Sequence, residues 1–217
     1  MKERTIVIND IPLTYLDEVG DPYVFNPMTH EDMDIILKLS ARLLNECGIE
    51  FSLAFGTLLG AVREKNFIKG DDDVDVIITD EKKLYACLPY FWNHGLFINR
   101  IFENELYSFH MEGRRGHIDM YVLSSIDRGI YKKWCVSVRE HYVPKRLFEK
   151  IEKNSCCIRD AYYPCPSHPE DVLSFWYGKT WRIPQSRKPT EDVLLRRIER
   201  FPVKIMGKIK RKIIKRK

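Results

Sequence analysis

Apolar and polar positions along this chain switch between a helical period and a strand period, and the switches mark its elements. From Thr29 to Gly48 the apolar residues Ile35, Ile36, Leu39, Leu43 and Leu44 share one helical face. Thr29 stands at the start, Glu31 and Asp32 fall where the helix dipole favours acids, and Gly48 ends the run. A short apolar run at about 50–55 predicts a buried strand. Gly56-Thr57 breaks it, and Thr57 is placed to cap a short helix through about Arg63. Residues 73–79 alternate at period two, 81–93 read as a helix, and 96–102, 105–111 and 117–123 read as strands. Gly113-Arg114-Arg115-Gly116 is the turn of a hairpin joining the last two. Residues 130–138 alternate as a strand, 154–169 read as loop because they are rich in Cys, Pro and Ser, and a helix follows near 169–177. Ahead of the first helix, residues 1–27 read as an extended lead-in with turns at Pro12, Gly20-Asp21-Pro22 and Asn26-Pro27. Helices and strands alternating in this way predict an α/β or α+β fold around a mixed β-sheet.

Length and composition narrow the class. The 217 residues suit one domain with a proper core. No apolar run is long enough to predict a membrane-spanning helix, and the first residues are too polar for a signal peptide. Cys47, Cys87 and Cys135 are scattered among apolar residues and read as reduced core thiols, which fits a cytoplasmic setting. Cys156, Cys157 and Cys165 cluster, but their spacing matches no common zinc pattern, and a fourth ligand such as His168 is a guess. The net charge is +5, yet residues 201–217 hold eight Lys or Arg and no acid, leaving −3 on the remainder. Within that tail Ile205, Ile209 and Ile213 form a narrow stripe among the basic residues. That is the composition of an amphipathic helix lying on an anionic membrane surface, so residues 203–217 are expected to make the protein peripheral at the inner face of the membrane. Nucleic acid is not expected as a partner, because phosphate-tracking proteins carry their basic surface on the folded domain.

The candidate chemistry lies in Asp71-Asp72-Asp73-Val74-Asp75-Val76. Two readings fit this run alone: a solvated acidic turn, or a cation site. Like charges repel and lose hydration when buried, so the cluster adds little to stability. A bound Mg²⁺ reverses the sign of that interaction. Strand parity sends Asp73 and Asp75 to one face and Val74 and Val76 to the other. The Gly56-Thr57 turn opens a helix whose N–H groups suit a phosphate. Asp119 is a single acid in the apolar strand Ile118-Asp119-Met120-Tyr121-Val122, and a buried Asp needs a partner or a metal. His117 shares its face, either as a supporting partner or as a rim residue.

A Gly-Thr turn, then Asp-x-Asp on a strand, then a lone strand Asp resembles the nucleotidyltransferase superfamily. Phe55-Gly56-Thr57-Leu58-Leu59-Gly60-Ala61-Val62-Arg63, Phe67-Ile68, and the acidic run resemble one branch of it, the LicD family of phosphotransferases, which includes fukutin and fukutin-related protein. Ile118-Asp119-Met120 and Leu173, Tyr177-Gly178, Trp181 and Pro184 extend the likeness over about residues 28–185. Lys69-Gly70 departs from it, since the family often has Pro-Trp there. The resemblance implies a nucleotidyltransferase-like mixed sheet flanked by helices, in a catalytic domain at 28–188 between the 1–27 lead-in and a basic tail helix at 189–217. It implies a CDP-alcohol donor, phosphocholine from CDP-choline foremost, a sugar or glycolipid acceptor such as a lipopolysaccharide precursor, and release of CMP. Asp73, Asp75 and Asp119 would be the catalytic residues and the ligands of Mg²⁺, or of Mn²⁺ in its place; Asp119 is a metal ligand or a general base. Gly56, Thr57 and Arg63 would contact the donor's phosphates. A quaternary ammonium group would want an aromatic cage, for which Trp176, Tyr177 and Trp181 are candidates, though core packing explains them equally. Other readings are the same chemistry with CDP-ribitol, a conventional nucleotidyltransferase releasing pyrophosphate, and a non-catalytic membrane-associated binding protein.

Overall fold

Asn9 and Asp10 both adopt positive φ, at 50° and 65°, which is the two-residue turn that best matches the twist of paired strands. They join β1 (Lys2–Ile8) to β2 (Ile11–Asp17) in an antiparallel hairpin. The extended lead-in is thus a paired hairpin over residues 2–17, and its turn lies at Asn9-Asp10 rather than at the expected Pro12. Pro12 lies within β2 opposite Val7, on a two-stranded ribbon where its missing N–H is tolerated. Ile8, Leu13 and Tyr15 are buried, and the hairpin packs beside the strand at 97–102 and the helix at 81–93. The computed structural model describes residues 2–17, 26–125, 135–138 and 141–184. The expected turn at Gly20-Asp21-Pro22 and the basic tail helix lie outside the described residues.

Thr29 opens α1 (His30–Glu46), its hydroxyl accepting the Asp32 backbone N–H at 3.0 Å. The buried face of α1 carries Met33, Ile36, Leu37, Leu43 and Leu44, while Ile35 and Leu39 sit at its margin. Then follow β3 (Phe51–Leu53), α2 (Phe55–Glu64), β4 (Asp73–Ile78), α3 (Glu81–Asn93), β5 (Phe97–Phe102), β6 (Leu106–His110) and β7 (His117–Val122). These strands make one five-stranded sheet in the order β3-β4-β7-β6-β5. The β4–β7 seam is parallel and every other pair is antiparallel. Val74, Val76 and Ile78 are fully buried on one face of this sheet, with Ile118, Met120 and Val122 beside them. Tyr107 shares the Met120 face and donates to Glu81 of α3 at 2.9 Å, so α3 covers that side. The aspartates lie on the other face.

The remaining described elements follow β7 in the chain. They are β8 (Ser124–Ser125), β9 (Cys135–Val138) and β10 (His141–Pro144) in a small sheet, a helical turn at Lys145–Leu147, β11 (Ile151–Ile158), β12 (Ala161–Pro166) and α4 (Pro169–Tyr177). Among them β11, β12 and α4 pack against β3 and α2. The expected loop at 154–169 is instead the β11–β12 hairpin, turning at Arg159-Asp160 with Arg159 at φ 55°. Its Cys and Pro content hides the alternation that places Cys156, Ile158, Tyr163 and Cys165 inward. Cys156 and Cys165 are joined in a disulfide, and Cys47, Cys87 and Cys157 are free thiols. With Cys156 and Cys165 paired, Cys157 is the free thiol of this hairpin. Among the described residues, no helix is long and apolar enough to cross a membrane.

Candidate active site

The site is built across the β4–β7 seam. Parallel register sets Asp73 opposite His117 and Asp75 opposite Asp119, and residues opposite one another share a sheet face. Four polar side chains are thus held in two rows by backbone pairing alone. Asp71 and Asp72, in the turn just before β4, are also buried. Their burial has no signature in local pattern, because it occurs in a turn.

The start of α2 is pressed against this face. The Ala54 N–H donates to the Asp75 carbonyl at 3.1 Å and the Gly56 N–H to Asp75 Oδ2 at 3.2 Å. The Asp75 N–H in turn donates to Thr57 Oγ1 at 2.8 Å. Thr57 is accordingly not the helix cap. Ala54 is at the cap position with no side-chain bond, and the carboxylate of a neighbouring strand satisfies an N–H of the first turn. A Cβ on Gly56 would stand 2.5 Å from Asp71 Oδ2, so a larger residue here would have to displace the Asp71 carboxylate. Phe55, just before it, has φ 38°, a left-handed conformation that a bulky residue holds only under surrounding constraint. That constraint is aromatic. Its ring stacks on Trp176 at 4.3 Å and meets Tyr121 edge-on at 4.9 Å.

Charge is concentrated here. Burial pushes the Asp75 carboxyl well above the usual carboxylate range, and the neighbouring Asp73, Asp119 and Asp71 push the same way against the Gly56 N–H. Asp119 is 7 % exposed. Its Oδ2 accepts the Tyr121 hydroxyl at 3.3 Å, while Oδ1 has no hydrogen-bond partner among the described residues. Ligand atoms of Asp73, His117 and Asp119 all lie within 4.8 Å of one another, and so do those of Asp71, Asp72 and Asp73. A partnerless buried carboxylate oxygen within a crowd of carboxylates fits a divalent cation, which would satisfy the oxygen and offset the repulsion.

Of the residues singled out from sequence, Gly56, Thr57, Asp73, Asp75 and Asp119 come together. Arg63 does not join them. It sits in the last turn of α2, about 10 Å along the axis from Gly56, and donates to Glu64 Oε1 at 2.9 Å. Trp176 and Trp181 are buried, Trp181 donating to Ser174 Oγ at 3.1 Å, so both are packed into the fold rather than set around an open cage. His117 has the parity of Asp119, which was its only sequence signal. Tyr121 had the same signal.

No curated protein matches the chain. Among solved structures it is similar to the antibiotic-resistance factor ANT(2'')-Ia, at 13 % identity and a TM-score of 0.50 over 79 % of this chain and 84 % of that one. A lincomycin-bound lincosamide antibiotic adenylyltransferase, LnuA, is similar at 16 % identity and a TM-score of 0.48, covering 81 % of this chain and 99 % of that one. The mixed sheet with its flanking helices is a nucleotidyltransferase-like fold. Residues 48–168, more than half of the sequence, match the LicD/FKTN/FKRP nucleotidyltransferase domain, and the chain belongs to that family.

Proposed function

We propose that this protein transfers a phosphoryl-alcohol group, phosphocholine from CDP-choline foremost, to a sugar hydroxyl of a cell-surface glycan or lipopolysaccharide precursor, with release of CMP. Family membership supports a transferase that modifies glycans. The observation that carries the reading is the convergence of Asp73, Asp75 and Asp119 on one sheet face at the start of α2, with Asp119 Oδ1 left without a partner. Those carboxylates would hold Mg²⁺ or Mn²⁺, which when bound supplies positive charge against the donor's diphosphate. The chain's own groups do the rest. Asp75 fixes the start of α2 against the acidic face. Thr57 accepts the Asp75 N–H and keeps its own hydroxyl proton to donate to a phosphate oxygen. Asp119 has one of two tasks: to complete the cation site through Oδ1, or to take the acceptor hydroxyl's proton. Arg63, bonded to Glu64 at the far end, supports α2 rather than the phosphates in this reading. A lipid-linked acceptor fits a protein peripheral at the inner membrane face through its basic tail.

A second reading is nucleotidyl transfer with release of pyrophosphate, which the nucleotidyltransferase domain of the family favours. Incubation with CDP-choline, CDP-ribitol, CDP-ethanolamine, CDP-glycerol or nucleoside triphosphates, followed by mass detection of products, separates the two. CMP with a phosphoryl-alcohol ester on the glycan is expected; pyrophosphate with nucleotide on the acceptor overturns the first reading. Asp73→Asn and Asp119→Asn should each lower turnover by about a thousandfold or more while the circular dichroism spectrum is kept.

A further inference from the structure

His117 lies beside Asp119 on the acidic face, and the proposed function gives it no task. Its side chain is 17 % exposed, against 9 % for that of Asp119. Its Nε2 lies 3.6 Å from Asp119 Oδ1, which is too long for a hydrogen bond. It is a natural separation for two ligands of one ion. With metal–ligand bonds of about 2.1 Å, ligands at right angles are about 3.0 Å apart and at the tetrahedral angle about 3.4 Å. Asp73 completes the group, since its carboxylate and the other two ligand atoms fall within 4.8 Å. The Asp119 oxygen facing His117 is the one with no hydrogen-bond partner among the described residues. Asp75 is outside this group. Its Oδ2 is already committed to the Gly56 N–H, and its main-chain N–H and carbonyl are held by Thr57 and Ala54.

Resting on the reading of this face as a cation site, we propose that His117 Nε2 is a direct ligand of the ion beside Asp73 and Asp119. The site then offers one nitrogen and two carboxylates. Mg²⁺ takes oxygen ligands and keeps its waters, whereas imidazole raises affinity for first-row transition ions. The mixed set selects a divalent transition ion, with Mn²⁺ bound more tightly than Mg²⁺.

Electron paramagnetic resonance of Mn²⁺ added to the full chain tests this without any substrate. Wild type should titrate Mn²⁺ out of its free signal, and electron spin echo modulation should show coupling to an imidazole ¹⁴N. In His117→Gln the coupling should vanish and Mn²⁺ affinity fall by at least about tenfold, with Mg²⁺ affinity, read by competition, nearly unchanged. Bound Mn²⁺ with no nitrogen coupling in wild type would overturn the role of His117 and leave the carboxylate site standing. Coupling that persists in His117→Gln would overturn it too, by assigning the nitrogen to another histidine. If Mn²⁺ does not bind, or binds equally well to Asp73→Asn and Asp119→Asn, both the inference and the cation reading beneath it fall.

Discussion

Asp75 does three jobs with one residue: its carbonyl holds Ala54, its N–H holds Thr57 and its carboxylate holds the first turn of α2. Strand parity made its orientation legible in sequence. Its partners were not legible, because they come from a helix start whose position depends on Phe55 taking a left-handed φ. The same crowding sets a pH dependence. A carboxyl whose folded pKa is raised gives stability that is fully present below its unfolded value, about 3.9, and lost as pH rises through the folded value. Asp75→Asn keeps an oxygen for the Gly56 N–H and imitates the protonated form. In chelator, its melting temperature should therefore pull ahead of wild type as pH rises above about 4, and Mn²⁺ or Mg²⁺ should shrink the difference. A gap that closes with rising pH would show that Asp75 is not the strained group.

At the scale of elements, the regular ones were readable and the compact ones were not. Thr29, the first turn of acids and Gly48 bounded α1, and alternation located β5, β6 and β7. The β11–β12 hairpin was hidden because cysteines stand where aliphatic residues usually carry the inward face, and their disulfide depends on a cross-strand register that only pairing reveals. The short helix α2 depends on close approach at its end as well as its start. A Cβ on Gly60 would collide with the Asn66 carbonyl and lie 3.1 Å from the Ile68 N. Both are backbone atoms of the turn leading to the acidic run, so they cannot swing aside. Gly60→Ala is expected to destabilise the fold by about 1–3 kcal/mol in denaturant titration, despite the better helix propensity of alanine. A stabilised variant would mean that the turn at 65–70 is free to move.

For the whole molecule, helix and strand alternation disclosed a mixed sheet but not its strand order, and the N-terminal hairpin's place beside β5 had no local signal. Charge distribution is a property of this scale. The segment 203–217, outside the described residues, carries the basic excess, and the proposed membrane association depends on it. A chain ending at Pro202 should lose sedimentation with anionic vesicles while keeping its melting temperature; if it still pelleted, the contact would belong to the folded domain. The parallel seam between β4 and β7 carries one more implication. A parallel pair cannot be closed by a tight turn, so α3, β5 and β6 must all be threaded between the two strands before Asp73 meets His117. Nothing shorter than the chain through β7 can assemble the site. On a ribosome, the acidic strand emerges well ahead of its partner, and the proposed cation site cannot form until the seventh strand has been made.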